Sequence, residues 1–428
     1  MTTLYAGLSQ KIITPPPGIH LMGYGNRIQG NIGVHDDLYV TTLVLSDGEA
    51  RAALLTADHT FIHNRIVDQI KARLAETSQI SPESIFVCCS HSHAGPIGYA
   101  DQDSRPEDRT YIQQLVDQCV ASVIEADADI QPVHMHGGRD LAHININRRE
   151  ETPAGTIIIG NNPDGPVDPT VQTLQLMTLA GDVLATLVNY SCHPVVMGPL
   201  NRRVSADWVG AMRRVVEDVI GGYCLFFQGA TGDINPRQMR WTDDNWDEVE
   251  EQGGDVAAAV LRACQNASPL TAETLSAMQA RVWLKLLSTN GFDERIREFM
   301  PEIKTIEEFH TTRQRQFPWQ VELDSREDGV YTPLAVGALR VGDWALASLG
   351  TEPFCETGLA IKANASAAMT FVAGYTNGCN SYLPVASAYE TGGYEVEIAP
   401  LFYGLPAGYT SASEAVVRQA VFDLLHGS

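Results

Sequence analysis

Two histidines, His91 and His93, lie where an apolar run of the chain ends. Residues 84–87 are apolar and partly β-branched, which predicts a buried strand, and the following Gly95 and Pro96 prevent its continuation. Alternate residues of an extended chain point the same way, so we expect both imidazoles to face one cavity. Imidazole is the commonest metal ligand among side chains. The pattern indicates a metal site, with a pair of ordinary core histidines as the alternative.

Three further apolar runs end in the same manner, each beside glycine or proline. The first is followed by His193, the second by Asp233 and Asn235, and the third by Glu352. In mixed α/β sheets such strand ends tend to converge on one crevice. If they do so here, His91, His193 and Glu352 form a zinc-binding set of two histidines and one carboxylate. Such a set leaves a coordination position open for water.

The elements that must position these residues alternate between strands and helices. Periodicity predicts strands at 4–14, 38–45, 52–57, 134–139, 143–147, 173–179, 183–190, 222–229, 334–341, 344–349 and 370–373. It predicts helices at 61–76, 106–126, 206–219, 246–267, 356–364 and 414–425, and a charged, solvent-facing helical stretch at 293–316. Several strand pairs read as hairpins. We therefore expect an α/β fold with a mixed β-sheet core flanked by helices, in one large domain over residues 1–428.

Composition narrows the class of protein. The 428 residues carry a formal charge of −23, which argues against nucleic acid or an anionic membrane surface as a partner. No apolar run approaches the ~20 residues that span a bilayer. The eight cysteines are scattered, without a Cys-x-x-Cys pair, and the N-terminus has no secretory signal pattern. These features predict reduced thiols in a cytoplasmic protein with a small-molecule substrate. They do not predict an oligomeric state.

The motifs, taken in order, resemble those of the neutral (non-lysosomal) ceramidases from about Leu8 to Ser413. The matching segments are Met22-Gly23-Tyr24, Gly33-Val34-His35, Thr56-Ala57-Asp58, His91 to Pro96, Asn145 to Arg148, His193 with Met197, Ser205-Ala206-Asp207, Gly232 to Pro236, Gly350-Thr351-Glu352, Asn377 with Tyr382, and Ser411-Ala412-Ser413. The resemblance implies the fold of the ceramidase catalytic domain. It also implies one Zn²⁺ ion, held by His91, His193, Glu352 and Tyr382.

The resemblance and the chemistry assign roles to further residues. His93 is expected to move protons near the zinc-bound water, and Arg148 to face the substrate carbonyl or carboxylate. Asp233 is expected to orient a ligand histidine. Asn235 stands where the ceramidases carry an active-site serine, which puts ceramide recognition in doubt while leaving zinc chemistry intact. The C-terminal immunoglobulin-like domain of ceramidases is not expected in this chain. We therefore expect an intracellular enzyme with a small soluble substrate rather than an exported enzyme that acts on sphingolipids.

We therefore expect a zinc-dependent hydrolase of an amide, or of an ester or lactone. Zinc lowers the pKa of bound water from ~16 to ~7, so that zinc-bound hydroxide is available for attack on a carbonyl. One alternative is a two-metal phosphoesterase that uses Asp58, Asp207 and Asp233 with the histidines. Another is a non-catalytic binding protein with a ceramidase fold.

Two other histidine pairs in the sequence are also spaced like metal ligands. His59 and His63 have the i,i+4 spacing of helical metal ligands. The polar residues that follow His63 are typical of an exposed helix face, which argues against this pair as ligands. Asp58 and His59 could still line the pocket. His134 and His136 repeat the His-x-His spacing. No apolar strand leads into this second pair, so a half-buried strand face is the better interpretation.

Overall fold

The computed structural model describes residues 3–25, 27, 29–239, 246–287 and 321–427. The strands of this part of the chain, in order, are β1 Leu4–Ile12, β2 Gly33–Val34, β3 Tyr39–Ser46, β4 Arg51–Ala57, β5 Ile85–Cys89, β6 Gln131–Leu141, β7 Asn145–Glu151, β8 Ile157–Asn162, β9 Thr170–Thr178, β10 Val183–Tyr190, β11 Arg203–Val204, β12 Tyr223–Gln228, β13 Ile234–Pro236, β14 Ser268–Leu270, β15 Leu275–Lys285, β16 Asp324–Arg326, β17 Gly329–Val341, β18 Trp344–Leu349, β19 Glu352–Pro353, β20 Met369–Ala373 and β21 Tyr382–Leu383.

The helices of the described residues are α1 Asn64–Thr77, α2 Pro106–Ala128, α3 Asp207–Ile220, α4 Asp247–Gln265, α5 Cys355–Asn364, α6 Ala388–Thr391, α7 Tyr394–Glu397, α8 Ala399–Phe402 and α9 Ser413–Gly427. Local sequence explains their starts. Helix α2 begins at Pro106, whose fixed φ suits the first helical position, and two acidic residues follow in its first turn. None of the helices described is long and apolar enough to cross a membrane.

The larger sheet has the strand order β12-β10-β9-β6-β1-β3-β4-β5, with β14 paired to β6. The pairs β4/β5 and β10/β12 are parallel, and the pairs between them are antiparallel. A second sheet has the order β15-β17-β18-β20, with β16 paired to β17, and its β18/β20 pair is parallel. The expected mixed sheet is therefore confirmed, and the strands divide between two main sheets.

The two sheets pack face to face across a shared apolar core. The larger sheet contributes Leu43, Leu45 and Phe86, and the smaller sheet contributes Leu339, Leu346 and Phe371. Helices α1 to α4 cover the other face of the larger sheet, where Ile70 of α1 and Val256 of α4 are fully buried. Helix α9 covers the outer face of the smaller sheet through Val417 and Val421. The result is a layered arrangement of helices, sheet, sheet and helix.

Several short strands and one-turn helices were not predicted from the sequence, and neither were the longer strands β8 and β15. Strand β15 is half-exposed along much of its length and shows no clean alternation of apolar and polar residues. The side chains of strand β8 are all exposed or half-buried, and its sequence lacks the alternating apolar pattern that marks a strand. The helical stretch predicted at 293–316 lies outside the described residues.

The parallel pairs bring several strand ends to one side of the molecule. The carboxyl ends of β5, β10, β12, β18 and β20 lead directly into the loops that carry the candidate site. Side chains tie these ends together. Gln228, at the end of β12, donates from Nε2 to the main-chain oxygens of Ser90 (3.0 Å) and Cys192 (2.9 Å). Asn189 links the sheets, because its Nδ2 donates to Phe227 O and Val372 O, each at 2.9 Å.

Candidate metal centre

The loops that follow these strands contain strained backbone. Among the described residues, the non-glycine positions with positive φ are His91, Asp207, Tyr375, Asn377 and Ser381. His91 has a φ of 65° and Tyr375 a φ of 53°, in the left-handed region that ordinary side chains avoid. The His91 backbone is held there by a hydrogen bond from its N–H to His59 O (2.8 Å). Strain of this kind persists where surrounding contacts fix the chain, which is common at functional sites.

Three imidazoles and one carboxylate converge in the space between these loops. Nε2 of His91 lies 3.1 Å from Nε2 of His193 and 3.1 Å from Nε2 of His93. Oε2 of Glu352 lies 3.3 Å from Nε2 of both His91 and His193. In the described part of the chain, one ring nitrogen of each of His91, His93 and His193 lies close enough to the others for these side chains to be candidate metal ligands. The structure thus brings together residues that are up to 261 positions apart.

Main-chain carbonyls fix the tautomers of two of these histidines. Nδ1 of His91 lies 2.8 Å from Thr60 O, and Nδ1 of His193 lies 2.9 Å from Ile234 O. A carbonyl only accepts, so each Nδ1 must carry the proton, and each Nε2 is left with its unshared electron pair. Metal-binding histidines have this arrangement almost universally. His91 and His193 are therefore set up as ligands.

His93 differs from the other two because its Nδ1 is buried without a hydrogen-bond partner in the described structure. The ring's hydrogen-bond contact is through Nε2, which lies 3.1 Å from the unshared pair of His91 Nε2, and no hydrogen bond holds a proton on Nδ1. Gly23 makes room for the ring: a Cβ at this position, where φ is +100°, would lie 2.3 Å from Cγ of His93. The side chain of Arg27 holds the same loop by donating to the main-chain oxygens of Met22 and His93. His93 is thus firmly placed but free to exchange a proton.

Charge states in the cluster suit a cation. Burial lowers the pKa of His193 to about 4, and burial together with the neighbouring histidines lowers the pKa of His93 well below its usual value. Both rings are therefore neutral at neutral pH. Burial raises the pKa of Glu352, whereas positive charge on the adjacent His91 and His193 holds it well below its usual range. When these rings are neutral, a metal cation between them would act on the carboxylate in the same direction. Neutral imidazoles and an ionised carboxylate are the forms that bind zinc.

Tyr382 and Arg148 lie beside this cluster. Tyr382 is the register partner of Glu352 in the short parallel β19/β21 pair, so the two residues emerge next to each other. The Arg148 guanidinium lies 5.3 Å from the Tyr382 ring centroid and donates from Nε to Oε1 of Glu395 (2.9 Å). Its Nη1 also lies 3.4 Å from Oδ1 of Asn235. Nη2 of Arg148 is buried without a partner in the described structure.

Asp233 is placed differently from the role that the sequence suggested. Its Oδ1 accepts from the main-chain N–H of Cys355 (2.7 Å), at the start of α5, and its Oδ2 accepts from Nδ2 of Asn147 (2.9 Å). Burial raises the pKa of Asp233 to about 7, although the Cys355 N–H opposes the shift. The orientation of His193 comes instead from the carbonyl of the next residue, Ile234.

Two tyrosines that the sequence analysis missed bind the Glu352 carboxylate. The Tyr375 hydroxyl donates to Oε2 of Glu352 (3.1 Å) and lies 2.7 Å from the Thr231 hydroxyl. The Tyr403 hydroxyl donates to the other oxygen, Oε1. Tyr375 follows β20, so the strand-end signal used for the histidines could have found it. Tyr403 follows the one-turn helix α8 and carries no such signal.

The carboxylates of the two-metal alternative are engaged elsewhere. Asp58 forms a bidentate pair with Arg213, with distances of 2.9 and 2.7 Å. Asp207 accepts from the main-chain N–H groups of Met197 (3.1 Å) and Trp208 (2.8 Å). Neither carboxylate belongs to the metal-binding group found among the described residues.

The competing histidines also have other contacts. Nε2 of His59 lies 3.1 Å from the Tyr111 hydroxyl, and Nδ1 of His63 accepts from the N–H of Arg65 at the start of α1. His59 is fully buried and His63 nearly so, so the predicted exposed helix face is wrong for this pair. His134 is exposed and His136 half-buried on β6, which agrees with a strand face.

Comparison with known proteins identifies the family. Residues 5–269 match the family model of the neutral/alkaline non-lysosomal ceramidase N-terminal region. The chain therefore belongs to this family. It is 22% identical to neutral ceramidase B of Dictyostelium discoideum over 247 residues, covering 51% of this chain and 33% of that protein. It is 24% identical to neutral ceramidase 1 of Arabidopsis thaliana over 229 residues, covering 49% and 28%. The match thus spans a third or less of the length of these relatives.

Solved structures support the fold assignment. The crystal structure of neutral ceramidase from Pseudomonas aeruginosa matches with a TM-score of 0.76 at 18% identity, covering 99% of this chain and 74% of that one. A ceramidase complexed with C2 matches with a TM-score of 0.77, also at 18% identity, covering 99% and 75%. The expected likeness to the ceramidase catalytic domain is confirmed at the level of the fold.

The placement of His93 yields a testable prediction. Gly23→Ala should push the His93 ring out of position and lower turnover of an amide or ester test substrate at least about tenfold, which corresponds to roughly 1.4 kcal/mol. Any bound metal should be retained as in the parent protein, because the atoms nearest a Cβ at Gly23 include none of His91 or His193.

Gly48→Ala is the matched control for this substitution. Gly48 has a φ of +95°, so it shares the backbone strain, but a Cβ there meets nothing within 4 Å. Steady-state kinetics and metal analysis of both variants show whether the position of the His93 ring affects turnover. Equal turnover in the Gly23 and Gly48 variants would contradict a catalytic role for the position of His93.

Proposed function

We propose that this chain is a zinc-dependent hydrolase that cleaves an amide bond, or an ester or lactone bond, in a small soluble substrate. Membership of the ceramidase family indicates a hydrolase. The zinc dependence and the substrate class go beyond that and rest on the side chains of the site.

One observation carries the proposal: unshared electron pairs face one another at the centre of the cluster. Nε2 of His91 and Nε2 of His193 cannot donate to each other, because each ring has its proton on Nδ1. The ionised Glu352 also only accepts, yet its Oε2 lies 3.3 Å from both nitrogens. Burying such a set of hydrogen-bond acceptors without donors raises the free energy of the folded state, unless the acceptors share a cation. Zn²⁺ fits this donor set of two imidazoles and a carboxylate.

His91, His193 and Glu352, with Tyr382 beside them, would hold the ion. Bound zinc would polarise a carbonyl and make a water molecule acidic enough to act as a nucleophile near neutral pH. Tyr382 and Arg148 would lie next to the reacting carbonyl, where their donors stabilise the negative charge that develops on its oxygen. Glu395 keeps the Arg148 guanidinium in place through the hydrogen bond to Nε.

His93 would hold and move the proton. Its Nε2 reaches the centre of the cluster, while its Nδ1 is not committed to a partner in the described structure. The lowered pKa keeps the ring neutral before the reaction, so it can accept a proton from the nucleophilic water. The same proton can then pass to the leaving amine or alkoxide.

Asn235 favours a substrate that differs from ceramide. Its side chain is buried beside Arg148, with Oδ1 as an acceptor and Nδ2 lying 3.5 Å from Sδ of Met239. An amide is larger than the hydroxymethyl group of the serine that it replaces, and it occupies one donor of Arg148. We therefore propose that Asn235 narrows the substrate range. The sphingolipid activity in the names of the relatives is not carried over to this chain.

Removal of one ligand histidine tests the metal site. His193→Ala should abolish both zinc retention after dialysis and turnover across a panel of N-acyl amides, esters and lactones, because it removes one of the two fixed imidazole ligands. His134→Ala is the control, since it removes an exposed histidine from the other His-x-His pair. Retained zinc and full activity in the His193 variant would refute the proposed site.

The second prediction tests the specificity position. Asn235→Ser should introduce or raise cleavage of N-acyl sphingoid amides, because it restores the family residue and frees Nη1 of Arg148. Asn161→Ser, on the exposed part of β8, controls for the same chemical change elsewhere. An unchanged substrate profile, measured by product release over the same panel, would mean that Asn235 does not set specificity.

A further inference from the structure

The two oxygens of the Glu352 carboxylate have different surroundings. Oε2 faces Nε2 of His91 and of His193 at 3.3 Å, so it points to the place that a metal ion would take. Oε1 accepts the hydroxyl of Tyr403. Glu352 is 1% exposed, so water does not compete for either oxygen to any great extent. Oε2 also accepts from the Tyr375 hydroxyl (3.1 Å), so the Tyr403 hydroxyl is the donor that holds the oxygen turned away from the histidines.

The Tyr403 phenol is well placed to remain a donor. Burial raises its pKa well above its usual value, so the hydroxyl stays protonated throughout the neutral range. The ring is held by contacts with Phe61 and Tyr382, at centroid distances of 5.8 and 6.2 Å. The thiol of Cys379 lies 3.8 Å from the Tyr403 oxygen and can donate to it, which leaves the phenol proton for Glu352.

A carboxylate can bind a metal through one oxygen or through both. A catalytic zinc site needs an open position for water or substrate, and a second bond from the same carboxylate would compete for that position. Binding through both oxygens would require Oε1 to give up its hydrogen bond from Tyr403. In this buried site that change would remove a charge-assisted hydrogen bond with little water to replace it.

We propose that Tyr403 is a positioning residue that restricts Glu352 to one-oxygen coordination and so keeps a coordination position open for the reaction. This inference rests on the proposed zinc site. The segment around Tyr403 also supplies Glu395, which pairs with Arg148 and Arg149. Residues 388–403 thus contact both the metal-binding carboxylate and the arginine beside the substrate.

The test uses Tyr403→Phe, which removes one oxygen and keeps the ring. The zinc in the wild type and the variant is replaced by Co²⁺, whose visible spectrum reports its coordination number. We expect the variant to bind one Co²⁺ per chain with weaker visible bands, as for a centre that has gained a ligand. With zinc, kcat should fall about 10- to 100-fold, as is usual when a residue supporting a metal ligand is removed, while the metal is retained.

Three further variants keep the result interpretable. Tyr190→Phe is the matched control, because its buried hydroxyl donates to Ala142 O (3.0 Å) and its loss should leave the spectrum unchanged. Tyr375→Phe removes the donor to Oε2 instead, so it should not create the extra ligand. Tyr403→Leu removes the Tyr403 donor with a smaller side chain and should reproduce the spectral shift if the phenylalanine variant does not fold.

The outcomes separate this inference from the proposed function. A wild-type protein that binds Co²⁺, together with Tyr403 variants of unchanged spectrum and kcat, would overturn the role of Tyr403 and leave the zinc site standing. A Tyr403→Phe protein that loses the metal would also overturn it, because loss of a restraint should not weaken binding that much. A wild-type protein that binds neither Co²⁺ nor zinc would overturn the metal site itself and this inference with it.

Discussion

The site depends on one constraint: two main-chain carbonyls, of Thr60 and Ile234, fix the protons of His91 and His193 on Nδ1. That leaves two unshared pairs and a carboxylate oxygen facing one another on side chains that are almost fully buried. A buried arrangement of acceptors is stable only with a shared positive charge. The suitability of the site for a metal cation thus follows from hydrogen bonds to the backbone.

The fold holds these carbonyls and ligand side chains in position. The carbonyl groups and the ligands lie on loops and short strands that follow the buried strands of two packed sheets. Side chains such as Gln228 and Asn189 join the ends of the buried strands. Rigid strands bring the loops together, and positive φ at His91 and Tyr375 lets the chain turn sharply enough to aim the rings inward. The shared core of the sheets opposes relaxation of that strain.

Sequence reasoning succeeded where the signal is local. The pattern of an apolar strand that stops at histidine or glutamate beside glycine or proline predicted that His91, His193 and Glu352 converge, and the structure brings them together. Periodicity located most of the longer strands and helices. It could not show that the strands form two sheets, since periodicity does not say which sheet a strand joins. Tyr403 lies 51 residues from Glu352, and only the tertiary fold brings its hydroxyl to that carboxylate. The single-domain organisation and the cytoplasmic location stay predictions.

The central claim is that one metal ion lies between His91, His193 and Glu352, with His93 outside its ligand set. Anomalous scattering at the zinc absorption edge, from crystals of the protein purified without chelator, tests this most directly. The account predicts a single peak within bonding distance of Nε2 of His91, Nε2 of His193 and Oε2 of Glu352. Two peaks about 3.5–4 Å apart would point to two-metal chemistry instead. A peak bonded to His93, or no peak in a protein that remains catalytically active, would contradict the account.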